Sequence, residues 1–255
     1  MKLQTKTVLI TVKAPPNPSN KYQETNCCAG IDLETKEWIR LYPIPFRLLD
    51  NAKKFPKYGI IKVKCEKPVR DKRIESFKVD QDSIQVLKKL DTKNKWSERK
   101  QLVLTTLSSS FCKIFKDIDK KKSIGVFKPC EINFVIKKEP PKKDSKDHPA
   151  YNQYWLFDKQ LKPLEHIPFA FYYKFKCSNK PDCTGHILKI HDWEITEAYR
   201  KWRLKYKEEK VLLEKIKEKW LDRMCSEKND VYFYVGNQWM RPKNFMVLGV
   251  FYPPK

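Results

Sequence analysis

Apolar side chains along the first eighty residues come in short runs separated by turn residues, which predicts strands rather than helices. Residues 6–13, Lys-Thr-Val-Leu-Ile-Thr-Val-Lys, read as a first strand that stops at the proline-rich segment 14–18. Further strands are expected near 26–32 and 37–42, the latter stopped by Pro43 and Pro45, and at 58–65, where apolar and basic residues alternate. Short strands punctuated by turns predict a small barrel. The pattern then lengthens to helical spacing over 81–90 and 96–118, and strand character returns at 123–127 and 131–136. Residues 137–150 are charged and proline-rich, as expected of a surface linker. Strands are predicted again at 154–157, 168–175, 231–236 and 245–252. Between them, 194–227 presents one long amphipathic helix with Ile195, Tyr199, Trp202, Leu212, Ile216 and Trp220 on its apolar face.

The expected organisation is α+β and mainly β. It comprises a barrel over 1–80, a helical connector over 81–122, and a second small barrel over 123–255 that carries the long helix and a terminal strand pair. No residue-level repeat links the halves. Nothing in the chain reaches the roughly 18 consecutive apolar residues of a membrane span, so a cytoplasmic protein without membrane association is expected.

Chemistry concentrates in one segment. Cys177, Cys183, His186 and His191 follow the spacing Cys-x5-Cys-x2-His-x4-His, and thiolate and imidazole ligands suit tetrahedral zinc in a closed, structural site. Such a site would pin the 175–191 turn against the long helix. His191 is the ligand with replacements, namely Cys225 or a water. Cys65, Cys112 and Cys130 lie in apolar surroundings and read as buried thiols. Asp192 and Glu194, next in the chain, read as a helix N-cap and a first-turn acid; the alternative is a pair of carboxylates holding a divalent ion.

Net charge changes the picture more than composition does. The chain has 54 Lys and Arg against 31 Asp and Glu, a balance of +23 that favours an anionic partner, and only nine of the cations are Arg. Lysine dominance points to backbone contact rather than base reading. The segment Trp38, Arg40, Tyr42, Phe46 and Arg47 combines aromatic faces with cations, as single-strand grooves do. Lys62 and Lys64 on the alternating strand, and Arg70, Lys72 and Arg73 after it, extend a basic surface. Phosphate-binding glycine loops and the Gly-x-Ser-x-Gly nucleophile motif are absent, so nothing directs the reading to an enzyme.

The pattern 24–31, Glu-Thr-Asn-Cys-Cys-Ala-Gly-Ile, with 38–47, Trp-Ile-Arg-Leu-Tyr-Pro-Ile-Pro-Phe-Arg, and 71–76, Asp-Lys-Arg-Ile-Glu-Ser, resembles prokaryotic dual OB-fold domain-containing proteins. The resemblance is concentrated in the first 80 residues. It implies paired five-stranded OB barrels and, by association, nucleic-acid handling in an antiviral defence or mobile-element system. The leading expectation is a nucleic-acid-binding protein, DNA or RNA, with structural zinc. The alternatives are a metal-dependent nuclease or nuclease subunit at Asp192 and Glu194, and an interaction module of a larger protein complex.

Overall fold

The computed structural model describes residues 3–140 and 161–255. Strands β1 (Gln4–Lys13), β3 (Gln23–Asp32), β4 (Trp38–Ile44), β5 (Gly59–Glu66) and β6 (Ser76–Val79) close a five-stranded barrel in the order β1-β3-β4-β6-β5 and back to β1. Every pairing in the circuit is antiparallel except β4 with β6. The long β1 closes it by pairing with β5 through Gln4–Leu9 and with β3 through Val8–Lys13. A bulge between Ile10 and Val12 bends it between these partners. A short β2 (Asn17–Ser19) lies on β3, and β7 (Gln85–Lys89) lies on β5.

Strand β7 falls where the spacing predicted helix. Asp80 instead caps a single 3-10 turn at Gln81–Ser83, accepting from the Asp82 amide at 3.2 Å, and the chain then pairs with β5. Seven residues with Ile84 and Leu90 buried at the ends are too few for periodicity to separate helix from strand, and the open β5 edge decides. The expected helical stretch from 96 exists in pieces: α1 (Lys93–Val103), a 3-10 turn to Thr106, and α2 (Phe111–Lys116).

The second half contains two three-stranded sheets. One has the order β11-β10-β9 and the other β13-β12-β8, formed by β8 (Ile124–Phe127), β9 (Pro129–Lys138), β10 (Phe169–Cys177), β11 (His186–Lys189), β12 (Tyr232–Gln238) and β13 (Arg241–Phe251). Only Lys128 separates β8 from β9, so one nearly continuous chain segment edges both sheets. At the other side a parallel bridge joins Ile190 to Val247, reinforced by the His191 amide donating to the Val247 carbonyl at 2.7 Å. The strand expected at 154–157 lies outside the described residues.

The long helix expected over 194–227 is broken. Helix α3 (Trp193–Lys205) ends at Tyr206 in extended conformation, α4 (Glu209–Lys217) begins after Glu208, and a π-helical turn (Glu218–Arg223) follows. In one straight helix Trp202 and Trp220, five turns apart, would share a face but stand about 27 Å apart along the axis. Refolding at 206–208 brings Trp202 edge-on to Trp220 at 6.0 Å.

Alternation along the strands sorts three apolar layers. Val8, Ile10, Ile61 and Val63 fill the first barrel. Phe233, Val235, Phe245 and Val247 face the core of the second half with Phe171, Tyr173 and Phe175. Their strand neighbours Leu9, Ile60, Tyr234, Met246 and Leu248 point the other way, into a third layer between the halves. Among the described residues no helix is long and apolar enough to cross a membrane.

Candidate metal centre and basic surface

Strand β10 delivers Cys177 at its last residue, and the chain then turns tightly before β11 begins at His186. The turn is held by the Lys180 amide donating to the Cys177 carbonyl at 3.3 Å and the Cys183 amide donating to that of Lys180 at 3.0 Å. Gly185, at φ +99°, supplies the left-handed step that returns the chain to β11. Cys177, Cys183 and His186 thereby converge. The fourth member comes from elsewhere: Cys112, in the first turn of α2, whose N-cap Ser110 accepts from the Lys113 amide at 3.1 Å.

The four ligand atoms all lie within 4.8 Å of one another. Cys112 Sγ is 4.0 Å from Cys177 Sγ and 3.3 Å from His186 Nε2, which is 3.2 Å from Cys183 Sγ. A tetrahedral zinc with bonds of about 2.3 Å to sulfur and about 2.0 Å to nitrogen sets its ligand atoms about 3.5–3.8 Å apart, so the observed edges fit such a shell. The imidazole is oriented by Phe111 at 4.7 Å and Phe175 at 5.5 Å. Burial pushes the Cys112 thiol up to about 12, with Cys177 adding to it, and burial also raises Cys177. At Cys183 burial is outweighed by backbone donors from Cys177 and Gly185, and the thiol moves down. Burial lowers His186, favouring the neutral imidazole that a metal requires. This Cys3His cluster could hold a metal ion.

The expected ligand His191 is replaced by Cys112. From His186 the chain runs extended, so His191, five residues on, is carried about 16 Å along the strand direction, too far to share one ion. Cys225 follows the π turn, its sulfur directed to the Trp220 carbonyl at 3.4 Å, and takes no part. Cys112, expected as a buried structural thiol, lies 65 residues from Cys177, a separation that no local spacing bridges.

Asp192 is the N-cap of α3, accepting from the Glu194 amide at 3.0 Å. Its other oxygen is 3.3 Å from Lys57 Nζ, which also reaches Glu194 at 3.4 Å. Burial works against the Lys57 charge, but the two carboxylates hold its proton well above the usual lysine range. Lys57 in turn depresses Glu194, while burial raises Asp192. The carboxylates that a divalent ion would need are thus committed to an internal ammonium.

The aromatic and arginine segment is also drawn inward. Trp38 packs edge-on to Tyr234 at 5.9 Å. Arg40, 5% exposed, crosses to the second half, donating to Ser123 Oγ at 3.0 Å and Ser123 O at 3.3 Å, and Glu75 accepts from the same hydroxyl. A Cβ at Gly236 would lie 2.8 Å from the Leu248 side chain and 3.2 Å from both the Arg40 guanidinium and the Ser123 carbonyl, so these neighbours would have to shift for any larger residue. Phe46 packs on Phe55 and Trp193, at 5.1 and 5.2 Å. Arg47 forms a two-pronged pair with buried Glu24 at 2.8 and 2.6 Å. Tyr42 stays half-exposed, its hydroxyl accepting from Thr25 at 3.2 Å. Lys62 and Lys64 line the outer side of β5, while Arg70 and Lys72 are exposed in the 67–75 loop. Arg73 beside them pairs with Asp71 at 2.6 Å and donates to the Asn237 carbonyl at 3.2 Å.

Fold and site together define a mainly β protein with a closed five-stranded barrel and a Cys3His cluster. The chain belongs to the family described as "Domain of unknown function (DUF8757)", whose model matches residues 107–255, and residues 4–105 match "Domain of unknown function (DUF8758)". All four cluster residues fall within the 107–255 match, and the boundary between the two matches falls at the turn after α1. No curated protein matches the chain.

Proposed function

We propose that this chain is a nucleic-acid-binding protein built on two OB-type barrels, with structural zinc at Cys112, Cys177, Cys183 and His186. The observation that carries the reading is a shared strand order in a strongly basic chain. Numbered along the chain, the first barrel runs 1-2-3-5-4-1, with strands 3 and 5 parallel. In the second half, with β8 and β9 taken as one bent strand, the order is again 1-2-3-5-4-1, its parallel contact being the Ile190–Val247 bridge. A five-stranded Greek-key barrel of this kind is the OB scaffold. Shared scaffold does not establish activity, but +23 of charge on it favours a polyanion. Lys62, Lys64, Arg70 and Lys72 make no ion pair among the described residues and remain free for phosphate.

The Cys3His set supports zinc in a structural role, because three thiolates and an imidazole fill the four positions and leave none for a reacting water. The test is filter binding of the purified protein to single-stranded and duplex polynucleotide at 50 and 200 mM salt. Affinity should fall by on the order of tenfold or more across that range through counterion release. Absence of salt-sensitive binding to any polynucleotide would overturn the reading and favour an interaction module.

A further inference from the structure

The two loops that follow the fourth strand of each circuit meet at one edge of the molecule. Asn237, 5% exposed, joins them. Its carbonyl and side-chain oxygen accept from Arg73 of the 67–75 loop at 3.2 and 3.3 Å, and its side-chain amide donates to the Pro242 carbonyl of the β12–β13 hairpin at 2.7 Å. Around this joint the chain exposes side chains that folding normally covers. Trp239 is 48% exposed and Met240 84%. Arg241 and Lys243 flank them on the hairpin, and Arg70 and Lys72 stand on the facing loop, all exposed. None of these four cations makes an ion pair among the described residues. The nearby acids are spent: Asp71 on Arg73 and Ser76, and Glu75 on Ser123.

We infer that this joint is where a single-stranded polynucleotide is held, with a base stacked on Trp239 and phosphates on Arg70, Lys72, Arg241 and Lys243. The inference rests on the nucleic-acid reading above and moves its contact away from the 38–47 segment, whose arginines are consumed internally. An exposed indole, with uncompensated cations on its own hairpin and on the loop bonded to it through Asn237, suits a ligand that offers flat apolar faces and negative charge together. An unpaired strand offers both, whereas a duplex hides its base faces in the stack.

The test is fluorescence anisotropy with a labelled twenty-nucleotide oligothymidylate and with a duplex of equal length. Trp239→Ala should weaken single-strand binding about tenfold and leave duplex binding within about twofold, and Trp239→Phe should restore most of the loss. The double variant Arg241→Ala/Lys243→Ala should lower the salt slope for the single strand by roughly 1.4, while Lys210→Ala/Lys217→Ala on α4 removes equal charge and should leave binding near wild type. Single-strand binding by Trp239→Ala equal to wild type, or an equal loss for both double variants, would overturn the inference while the nucleic-acid reading stands. A wild-type protein that binds neither probe at low salt removes both. Circular dichroism and metal content of each variant check for a folding defect, the substituted hairpin residues Trp239, Arg241 and Lys243 all being exposed.

Discussion

At Cys112 a thiol reached from another element completes a shell that the 177–191 spacing leaves one ligand short. The place of Cys112 in the cluster makes α2 part of it, so an ion held there would tie that helix to the β10–β11 turn. Cys112→Ser is therefore expected to release the metal under a mild chelator challenge, with a fall in melting temperature of roughly 5–10 °C at about 2–4 °C per kcal/mol for a chain of this size. His191→Ala should keep one metal ion per chain. Mass-spectrometric metal analysis before and after chelation separates the two, and metal loss in His191→Ala with retention in Cys112→Ser would restore the ligand set expected from the sequence. Three of the four cluster residues were legible because a turn brings them together locally. The fourth depends on tertiary packing, which spacing does not encode.

Among the elements, strands were the most legible: β5 alternates buried and exposed residues, while β1, β12 and β13 stand out as short apolar runs buried on both faces. The helices were less so: the apolar stripe through 202, 212 and 220 was visible, but the break that brings Trp202 against Trp220 was not. Neither was the inward turn of the 38–47 segment, where aromatics and arginines suit a groove and an internal junction equally well. The 67–75 loop shows how an internal ion pair shapes an exposed element. Asp71 is shifted below its ordinary 3.8; burial opposes the shift, but hydrogen bonds from Arg73 and Ser76 outweigh it. A carboxyl depressed in the folded state stabilises that state above its unfolded value, and the contribution is lost as pH falls through the folded one. Thermal melts from pH 6 down to pH 2 should therefore show wild type losing more stability below about pH 4 than Asp71→Asn. Parallel pH profiles for the two proteins would show that the Asp71–Arg73 pair does not hold the loop.

For the molecule as a whole, the layer between the halves decides whether it behaves as one body. Leu9, Ile60, Tyr234, Met246, Leu248 and Phe251 are buried there, each on a strand whose alternate residues belong to the core of its own half. Arg40 and Ser123 cross the same junction with hydrogen bonds. The similarity of the two circuits could not be read from residue repeats, because they share strand order without shared side chains, and a helical pair interrupts the second. What the sequence does carry is the apolar residue on the outer face of each junction strand, which a solitary barrel would have made polar. Leu248→Ala, at 4% exposure, should cost about 2–5 kcal/mol by leaving a cavity between the halves. Because both halves share that layer, urea unfolding followed by far-ultraviolet circular dichroism and by tryptophan fluorescence should give coincident single transitions in wild type and variant, the variant's midpoint being lower. Two separated transitions in wild type, with only one moved by the substitution, would show instead that each half is stable without the other.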